Sequence, residues 1–553
     1  MVEISENREY SYHIFSFPFK INSLNGKDEF DGKTKLEDIG KIIDERYWKK
    51  TPKKSLKSKT NEDIDKNLNY NIKTYFYSSV QDAIYNNNNN EIENDQIVTN
   101  YNYDLSGENY YIIDVLEDNR AKTNKEAKEK LTTFKLTIDK IELKIYETGV
   151  GILSFFLKNS RHAAASDILK INSMGRRIYP PFFNLADNSE NVLYSIRAKE
   201  LPFKIQLDIS NEESLIEEFK YEEFNKDIKI GNHILGILKF DKKRISIQPI
   251  IDDRMFVISY ILRDRLIDVC KSKKDSISEN LYNELEAKKY KDSDYWYKYL
   301  YIDSEKLTVQ NEDMKKEFIE KSTYKRWTNC QTLFGISRYS FVLSKNVKLE
   351  FINVHVKTLY YEMVCLILAQ RASILNFSDE VSKISSFNNE DSERINDLYK
   401  NYIEFTNRLY FREVTAQEQG IELYNMLLDI NNVNNEISKL KEEMATLYNY
   451  AKYLKSQKSE KSLKWIENLN KWFLIPTFLT GLLGINIFQN RFSLVEKTPN
   501  FSVLSVLADP FYIALIIVIF FMFIPSFIMF IPSVLLYFKK IFLRQKNKIF
   551  RRE

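Results

Sequence analysis

Two long stretches without a single charge constrain this chain more than any other feature. Trp472 to Phe488 and Pro510 to Phe538 contain no Asp, Glu, Lys or Arg, and the second is bordered by Asp509 and Lys539. A helix needs roughly 20 predominantly apolar residues to cross the hydrocarbon core, so the two runs read as membrane spans. The remainder is a different material. Across 553 residues, charged side chains make up 29% and apolar ones 44%, a balance that calls for water-exposed domains with more than one core. A purely soluble enzyme is not expected.

Orientation follows from the flanking charges. After the second run come Lys539, Lys540, Arg544, Lys546, Lys548, Arg551 and Arg552 against Glu553, while the intervening loop carries only Arg491 and Lys497 as basic residues. By the positive-inside rule both termini are expected in the cytoplasm, a multi-pass arrangement. The opening MVEISENREYSYHIF lacks the basic cap and apolar run of a signal peptide. Cys270, Cys330 and Cys365 show no paired spacing, which supports neither a disulfide framework nor a structural zinc site and fits a reducing compartment.

Residues 1–275 read as an α/β domain. YSYHIFSFPFKI reads as a strand-bearing start, and YYIIDV, FKLTID and IELKIYETGVGILSFFL alternate like strands, with Gly149 and Gly151 at the tightest turn. Residues 162–175 fit a helix ended by Gly175 and followed by Arg176, Arg177 and the Pro180-Pro181 break; QPIIDDRMFVISYILRDRLIDVCK begins extended and finishes helical. Solvated insertions are expected near 31–67 and 86–95. Between Pro249 and Pro476 there is no proline, so 276–395 is predicted helical and 396–470 is predicted to be a stalk helix.

Within that stalk, Ile430, Val433, Ile437, Leu440, Met444, Leu447, Ala451 and Leu454 follow the 3-4 spacing of a coiled seam. Packing on the same subunit and packing between chains both satisfy the pattern. After a phase slip, Leu463, Ile466, Asn470, Leu474, Thr477, Gly481 and Gly484 continue along one face into the first uncharged run. Polar and small residues there fit close helix packing or a water-filled path, and the latter needs several copies, since one helical hairpin encloses no water.

The segment Ile475–Asn486, IPTFLTGLLGIN, resembles the first-span signature of the CorA family of two-helix divalent-cation transporters, whose closing motif is Gly-Met-Asn or a GxN variant. Pro476, Thr477, Phe478, Gly481, Gly484 and Asn486 match; Ile485 replaces the common methionine and Leu483 the common aromatic. The TGLLGIN form is especially similar to the zinc-transport branch. Physically, a glycine can end a helix and free its carbonyls, and an asparagine amide oxygen can bond the water shell of a strongly hydrated cation. The resemblance implies a funnel-shaped homopentamer. Its pore would be lined by Leu463, Ile466, Asn470, Leu474, Thr477, Gly481, Gly484 and Asn486, with a hydrated magnesium or zinc ion held at Gly484 and Asn486. The expected layout is a first span over 471–488, an outer loop over 489–509, a second span over 510–538 and a basic tail over 539–553. Where the family often places acids at the outer mouth, this loop sets Arg491 and Lys497 against Glu496 and Asp509, so cation focusing is weak.

The large portion before the stalk exceeds what such transporters carry. HIFSFPFKI, TGVGILSFFLKN, INSMGRRIYPPFF and IIDDRMFVISYI are similar to segments of the CorA-like membrane effectors associated with type III CRISPR defence. That resemblance implies opening by a nucleotide second messenger, an adduct of S-adenosylmethionine with AMP. From the residues themselves, Arg176 and Arg177 offer guanidinium forks suited to a phosphodiester. Asp252 and Asp253 can accept hydrogen bonds from ribose or an adenine amine, Arg254 can balance them, and Asn159 and Arg161 are candidates for the same pocket. Arginines near a turn and a local Asp–Arg ion pair account for the same residues without a ligand. His162 ranks below them, as a cap or surface residue.

No nucleophile with its base, no Walker-type loop and no HExxH is present, so no catalytic residue is nominated and no direct nucleic-acid contact is expected. The expected partners are further copies of the chain, the lipid membrane and the small nucleotide, with no covalent cofactor. Two rivals stand beside the ligand-gated channel: a magnesium or zinc transporter gated by the metal itself, and a membrane-anchored protein that binds or cleaves nucleotides.

Overall fold

An unusually apolar strand sits at the centre of the fold. The computed structural model describes residues 8–23, 43–51, 74–85, 97–117, 130–179, 200–219, 230–240, 245–273, 285–304, 307–384 and 391–484. In it Ser11–Ser23 forms β1, followed by β2 (Trp48–Lys50), β3 (Val98–Tyr103), β4 (Tyr110–Glu117), β5 (Lys130–Tyr146), β6 (Val150–Asn159), β7 (Glu200–Asp208), β8 (Leu215–Glu218), β9 (Ile245–Pro249) and β10 (Phe256–Leu262). The segments expected to be strands are strands. Gly149 turns β5 into β6 at φ 76°, a conformation that favours glycine, and its N–H bonds the Tyr146 carbonyl at 3.0 Å.

The region 276–395, predicted helical, contributes three more strands: β11 (Thr323–Tyr324), β12 (Leu333–Ile336) and β13 (Ser340–Lys345). Absence of proline permits a helix but does not impose one, and LFGI with SFVLSK finds its partners far away in sequence. β13 pairs in parallel with β10, while the other paired strands run antiparallel. The result is one mixed sheet in the order β11-β12-β13-β10-β1-β6-β5-β4-β7-β8, with β9 on β1, β3 on β5 and β2 on β3.

Both faces of the central strands are covered, which is why their sequences read as nearly continuous apolar runs. Phe15, Phe17 and Phe19 of β1, with Leu153, Phe155 and Leu157 of β6, face a core shared with Ile168, Ile171 and Met174 of the helix Ala165–Gly175. Tyr12, Ile14, Ile152 and Phe156 face the other way, into a core with Met363, Val364 and Ile367. Each fully buried phenylalanine contributes about 1.5–3 kcal/mol of apolar transfer.

In chain order the helices are α1 (Ser78–Tyr85), α2 (Ala165–Gly175), α3 (Asn232–Leu238), α4 (Arg263–Lys273), α5 (Asp294–Tyr301), α6 (Glu312–Ser322), α7 (Phe351–Lys383, with a π-helical turn at Val356–Tyr360), α8 (Asp391–Arg408), α9 (Glu418–Ile430) and α10 (Val433–Gly484). Among the described residues, α7 alone has the length and apolar composition of a membrane span, yet 67% of its apolar window is buried inside the protein. It is a core helix lying on the sheet. Ion pairs fix it there: buried Lys144 of β5 bonds Glu142 at 2.9 Å and Glu362 of α7 at 3.0 Å, and Lys20 of β1 reaches the more exposed Asp379 and Glu380 at 2.9 Å.

The stalk expected over 396–470 is interrupted. Arg408 ends α8, Ile430 ends α9, and Asn432 adopts φ 57° before α10 begins. The seam also resolves toward its own subunit, because Val433, Ile437, Leu440 and Met444 are buried in the same core as Phe405, Leu423 and Leu427. The chain divides into two compact units, Met1–Tyr448 and Asn449–Glu553. The first is the α/β domain with its helical continuation; in the second, the described residues are helical through Gly484. The second uncharged run, the outer loop, the basic tail and Pro180-Pro181 lie outside the described residues.

Candidate anion site and helical face

α2 carries the first arginines into place. Eleven residues at 1.5 Å each give it a length of about 16 Å, enough to run along the sheet. His13 of β1 holds its middle, with Nδ1 2.6 Å from Asn172 Oδ1, and burial pushes the imidazole down to about 4, so it is neutral at pH 7. The C-terminal end is held by close packing. Tyr111 donates its hydroxyl to the Gly175 carbonyl at 2.8 Å, and a Cβ on Gly175 would stand 2.7 Å from Ile113 and Phe15. A larger residue would force Ile113 and Phe15, or the helix end, to shift.

Immediately beyond, the Met255 N–H donates to the Arg176 carbonyl at 2.8 Å, and Arg177 pairs with Arg254 as an antiparallel bridge. Arg176, Arg177, Asp252, Asp253 and Arg254, nominated from two segments far apart in sequence, therefore come together. A helix C-terminus also favours positive charge, through its free carbonyls.

The electrostatics are unusual. Arg176 is only 3% exposed, its Nε and Nη1 make no hydrogen bond among the described residues, and its guanidinium lies 5.6 Å from the centre of the Tyr339 ring. Burial, then repulsion from Arg254 and Arg177, lowers Arg176 to about 9 against the opposing pull of Asp252 and Asp253. Asp252 is pushed up to about 6 by burial and by its hydrogen-bonded, like-charged neighbour Asp253. Burial also raises the Asp253 carboxyl, but the Asp252 hydrogen bond and the charges of Arg254 and Arg177 outweigh it and hold Asp253 below the usual range. Arg254 Nε donates to Asp253 at 3.2 Å.

Two arginines that sequence reasoning missed extend the cluster. Arg371 of α7 is lowered by burial and by the neighbouring charge of Arg338, with Asp252 and Glu436 opposing. Arg338 and Tyr339 occupy the turn between β12 and β13. One signal existed for Arg371: it is the sole charge between Glu362 and Asp379, a run otherwise apolar or neutral. Arg338 offered none. A buried guanidinium short of hydrogen-bond acceptors, beside further arginines, is a ready site for phosphate or another oxyanion.

Asn159 and Arg161 do not belong to this cluster. Asn159 Nδ2 donates to Ser11 Oγ and to the His162 carbonyl, and its Oδ1 accepts from the N–H groups of Arg161 and His162. Its polar atoms are used in closing the turn after β6. Arg161 lies over the Tyr110 ring, and His162 Nε2 accepts the Lys135 N–H. Asn159 pairs with Ser11, whereas Phe256, just past Arg254, pairs with Ser16. Five residues of strand separate the two by about 16 Å, so Asn159 and Arg161 sit at the opposite end of α2 from the arginines.

A surface groove lined by Lys321, Tyr324, Arg326, Glu418 and Glu422 is a poorer candidate, since Arg326 is already neutralised by Glu418 at 2.8 Å and Glu422 at 2.9 Å. Among the described residues, no three His, Cys, Asp or Glu side chains gather as a metal site.

In the second unit, Leu463, Trp465, Ile466, Phe473, Leu474 and Phe478 are 47–68% exposed on α10. Asn470, Thr477 and Gly481 are exposed as well, with Thr477 Oγ1 donating to the Phe473 carbonyl at 2.7 Å. Gly484 is the last described residue of the helix, and Asn486, the other expected cation contact, lies beyond the described residues.

Fold and site define an α/β protein with an arginine-rich buried cluster and a long C-terminal helix whose far end is apolar. Comparison with family models, curated proteins and solved structures finds no match for the chain.

Proposed function

We propose that the protein is a ligand-gated membrane channel of the CorA type, a homopentamer in the bacterial inner membrane whose cytosolic domain binds a nucleotide messenger. The observation that carries the ligand half of this reading is Arg176, a buried guanidinium with unused donors beside Arg177 and Arg254. A phosphodiester supplies what that group lacks, and the two aspartates supply acceptors for a nucleoside. The S-adenosylmethionine–AMP adduct of the type III CRISPR effectors has both parts, with the channel acting in antiviral defence by disrupting the membrane's ion balance.

The membrane half is supported by the second unit. Large apolar side chains stand exposed on several sides of α10 near its end, a surface that water disfavours and that lipid or further copies of the helix would cover. In the proposed assembly, Leu463, Ile466 and Leu474 form the apolar constriction and Thr477, Gly481, Gly484 and Asn486 line the wider path. To move such a gate from mostly shut to mostly open, ligand must favour the open state by about 5 kcal/mol in total. Spread over several sites, that is a modest demand on each.

The test is conductance of the purified full chain in planar bilayers. Addition of the adduct is expected to open channels, and Arg176→Ala with Arg177→Ala is expected to abolish the response. Conductance that ignores the adduct but follows magnesium or zinc would favour the metal-gated transporter. Cleavage products from the adduct would favour the membrane-anchored nucleotide-cleaving protein.

A further inference from the structure

Arg338 precedes Tyr339, whose ring lies 5.6 Å from the Arg176 guanidinium, and both Arg338 and Arg371 reach the joint where the long helix begins. Arg371 Nη1 donates to Asn431 Oδ1 at 3.3 Å, and Arg338 Nε donates to the Ile430 carbonyl at 3.4 Å. Both contacts are long for N–H···O bonds. The joint is a real break in the helical path. Asn431 is buried and folds its Nδ2 back onto the Leu427 carbonyl at 3.0 Å; Asn432 follows in the left-handed region and donates to Glu436 Oε1 at 3.0 Å, in the first turn of α10.

We propose that Arg338 and Arg371 are shared between the anion site and the Asn431–Asn432 joint, so that a bound phosphate-bearing ligand draws their guanidiniums away and loosens the start of α10. This rests on reading the arginine cluster as an anion site. The competition is unequal. A phosphate oxygen carries charge and can be gripped by two guanidinium donors at once, whereas the joint offers each arginine one neutral hydrogen-bond acceptor at the edge of bonding distance, with Glu436 adding a through-space pull on Arg371. Arg176 keeps its place on α2 and anchors the ligand; Arg371, on a different element, is the group that exchanges partners. By linkage, whatever binding does to the joint, the joint does to binding. Removing the Asn431 acceptor frees Arg371 beforehand and makes the site a better anion trap.

The experiment uses the full chain in detergent, with inorganic pyrophosphate as the probe and amide hydrogen exchange of residues 431–436 as the readout beside calorimetric affinity. Pyrophosphate is expected to speed exchange there about tenfold, including the Glu436 amide that bonds the Asn432 carbonyl, and to leave the β6 amides unchanged. Asn431→Ala is expected to exchange rapidly without ligand and to bind three- to tenfold more tightly. Arg371→Lys, which keeps the charge but loses the fork, is expected to bind several-fold more weakly and to show no exchange response. If pyrophosphate binds while residues 431–436 stay as protected as before, or Arg371→Lys responds like the parent, the shared-arginine proposal falls and the anion site stands. Should only the S-adenosylmethionine–AMP adduct bind, the same comparison is read with the adduct. Binding of neither removes the anion site and this proposal together.

Discussion

Replacing Arg176 with methionine is expected to stabilise the ligand-free protein while destroying its anion binding, a combination that a structural arginine does not produce. Burial, with Arg254 and Arg177 alongside, brings Arg176 down from the ordinary guanidinium range to about 9. At 1.36 kcal/mol per pH unit, that fall corresponds to about 5 kcal/mol by which the native state disfavours the charge. The sign follows from linkage. Because the folded value lies below the unfolded one, the penalty is fully present below about pH 9 and is relieved only as pH rises from there toward 12. Methionine keeps the aliphatic stem and removes the buried charge, so part of that penalty is recovered, about 1–4 kcal/mol once the lost attraction to Asp252 and Asp253 is set against it. In a unit of this size the melting temperature moves about 1 °C per kcal/mol, so Arg176→Met should melt about 1–4 °C higher than the parent. Thermal unfolding of the full chain in detergent, followed by tryptophan fluorescence with and without pyrophosphate, measures both quantities. Ligand should raise the parent's melting temperature and leave the variant's unchanged. A variant that melts several degrees lower and still responds to pyrophosphate would refute the idea that Arg176 is a charge kept for a ligand.

Three further outcomes are expected. Anion affinity should rise as pH falls from 7 to 5, since Asp252, raised to about 6, takes up a proton and removes a negative charge from the site; Asp252→Asn should flatten that profile in calorimetric titrations. The same protonation makes the native state more stable as pH falls through 6, because the unfolded carboxyl takes up its proton only nearer 4. Gly175→Ala, whose Cβ would stand 2.7 Å from Ile113 and Phe15, should cost about 1–3 kcal/mol in urea denaturation and weaken anion binding by shifting Arg176. Asn432→Val should cost about 1–2 kcal/mol for forcing a β-branched residue into φ 57°, while Asn432→Gly, which loses the Glu436 hydrogen bond but meets no strain, should cost less in the same assay.

Local pattern was enough for the parts of this protein whose chemistry is local. The β5–β6 turn at Gly149 and the end of α2 at Gly175 were legible because conformation and close packing restrict the residue type allowed. The alternation that opens β4 and the nearly continuous apolar runs of β1 and β6 were legible for the same kind of reason, since burial of one face or of both sets the pattern. A doubled arginine after a glycine and a doubled aspartate before a strand were visible as unusual chemistry, though nothing in either segment says that they meet. Long-range partnership escaped. LFGI and SFVLSK became strands because β10 offered an edge, which proline and glycine counts do not register. The heptad spacing from Val433 to Met444 specified an apolar stripe, and only the tertiary core decided that its partners are Phe405, Leu423 and Leu427 of the same chain. Asn159 and Arg161 were grouped with Arg176 through nearness in sequence, yet α2 is a rod about 16 Å long and holds its two ends apart. Sequence thus determined the elements and the chemical inventory, because steric and solvation preferences act residue by residue. Structure alone decided which charges share a site, because electrostatic fields and hydrogen bonds act through space: Arg371, isolated in an apolar helix, acquires its meaning only beside Arg338 and Asp252.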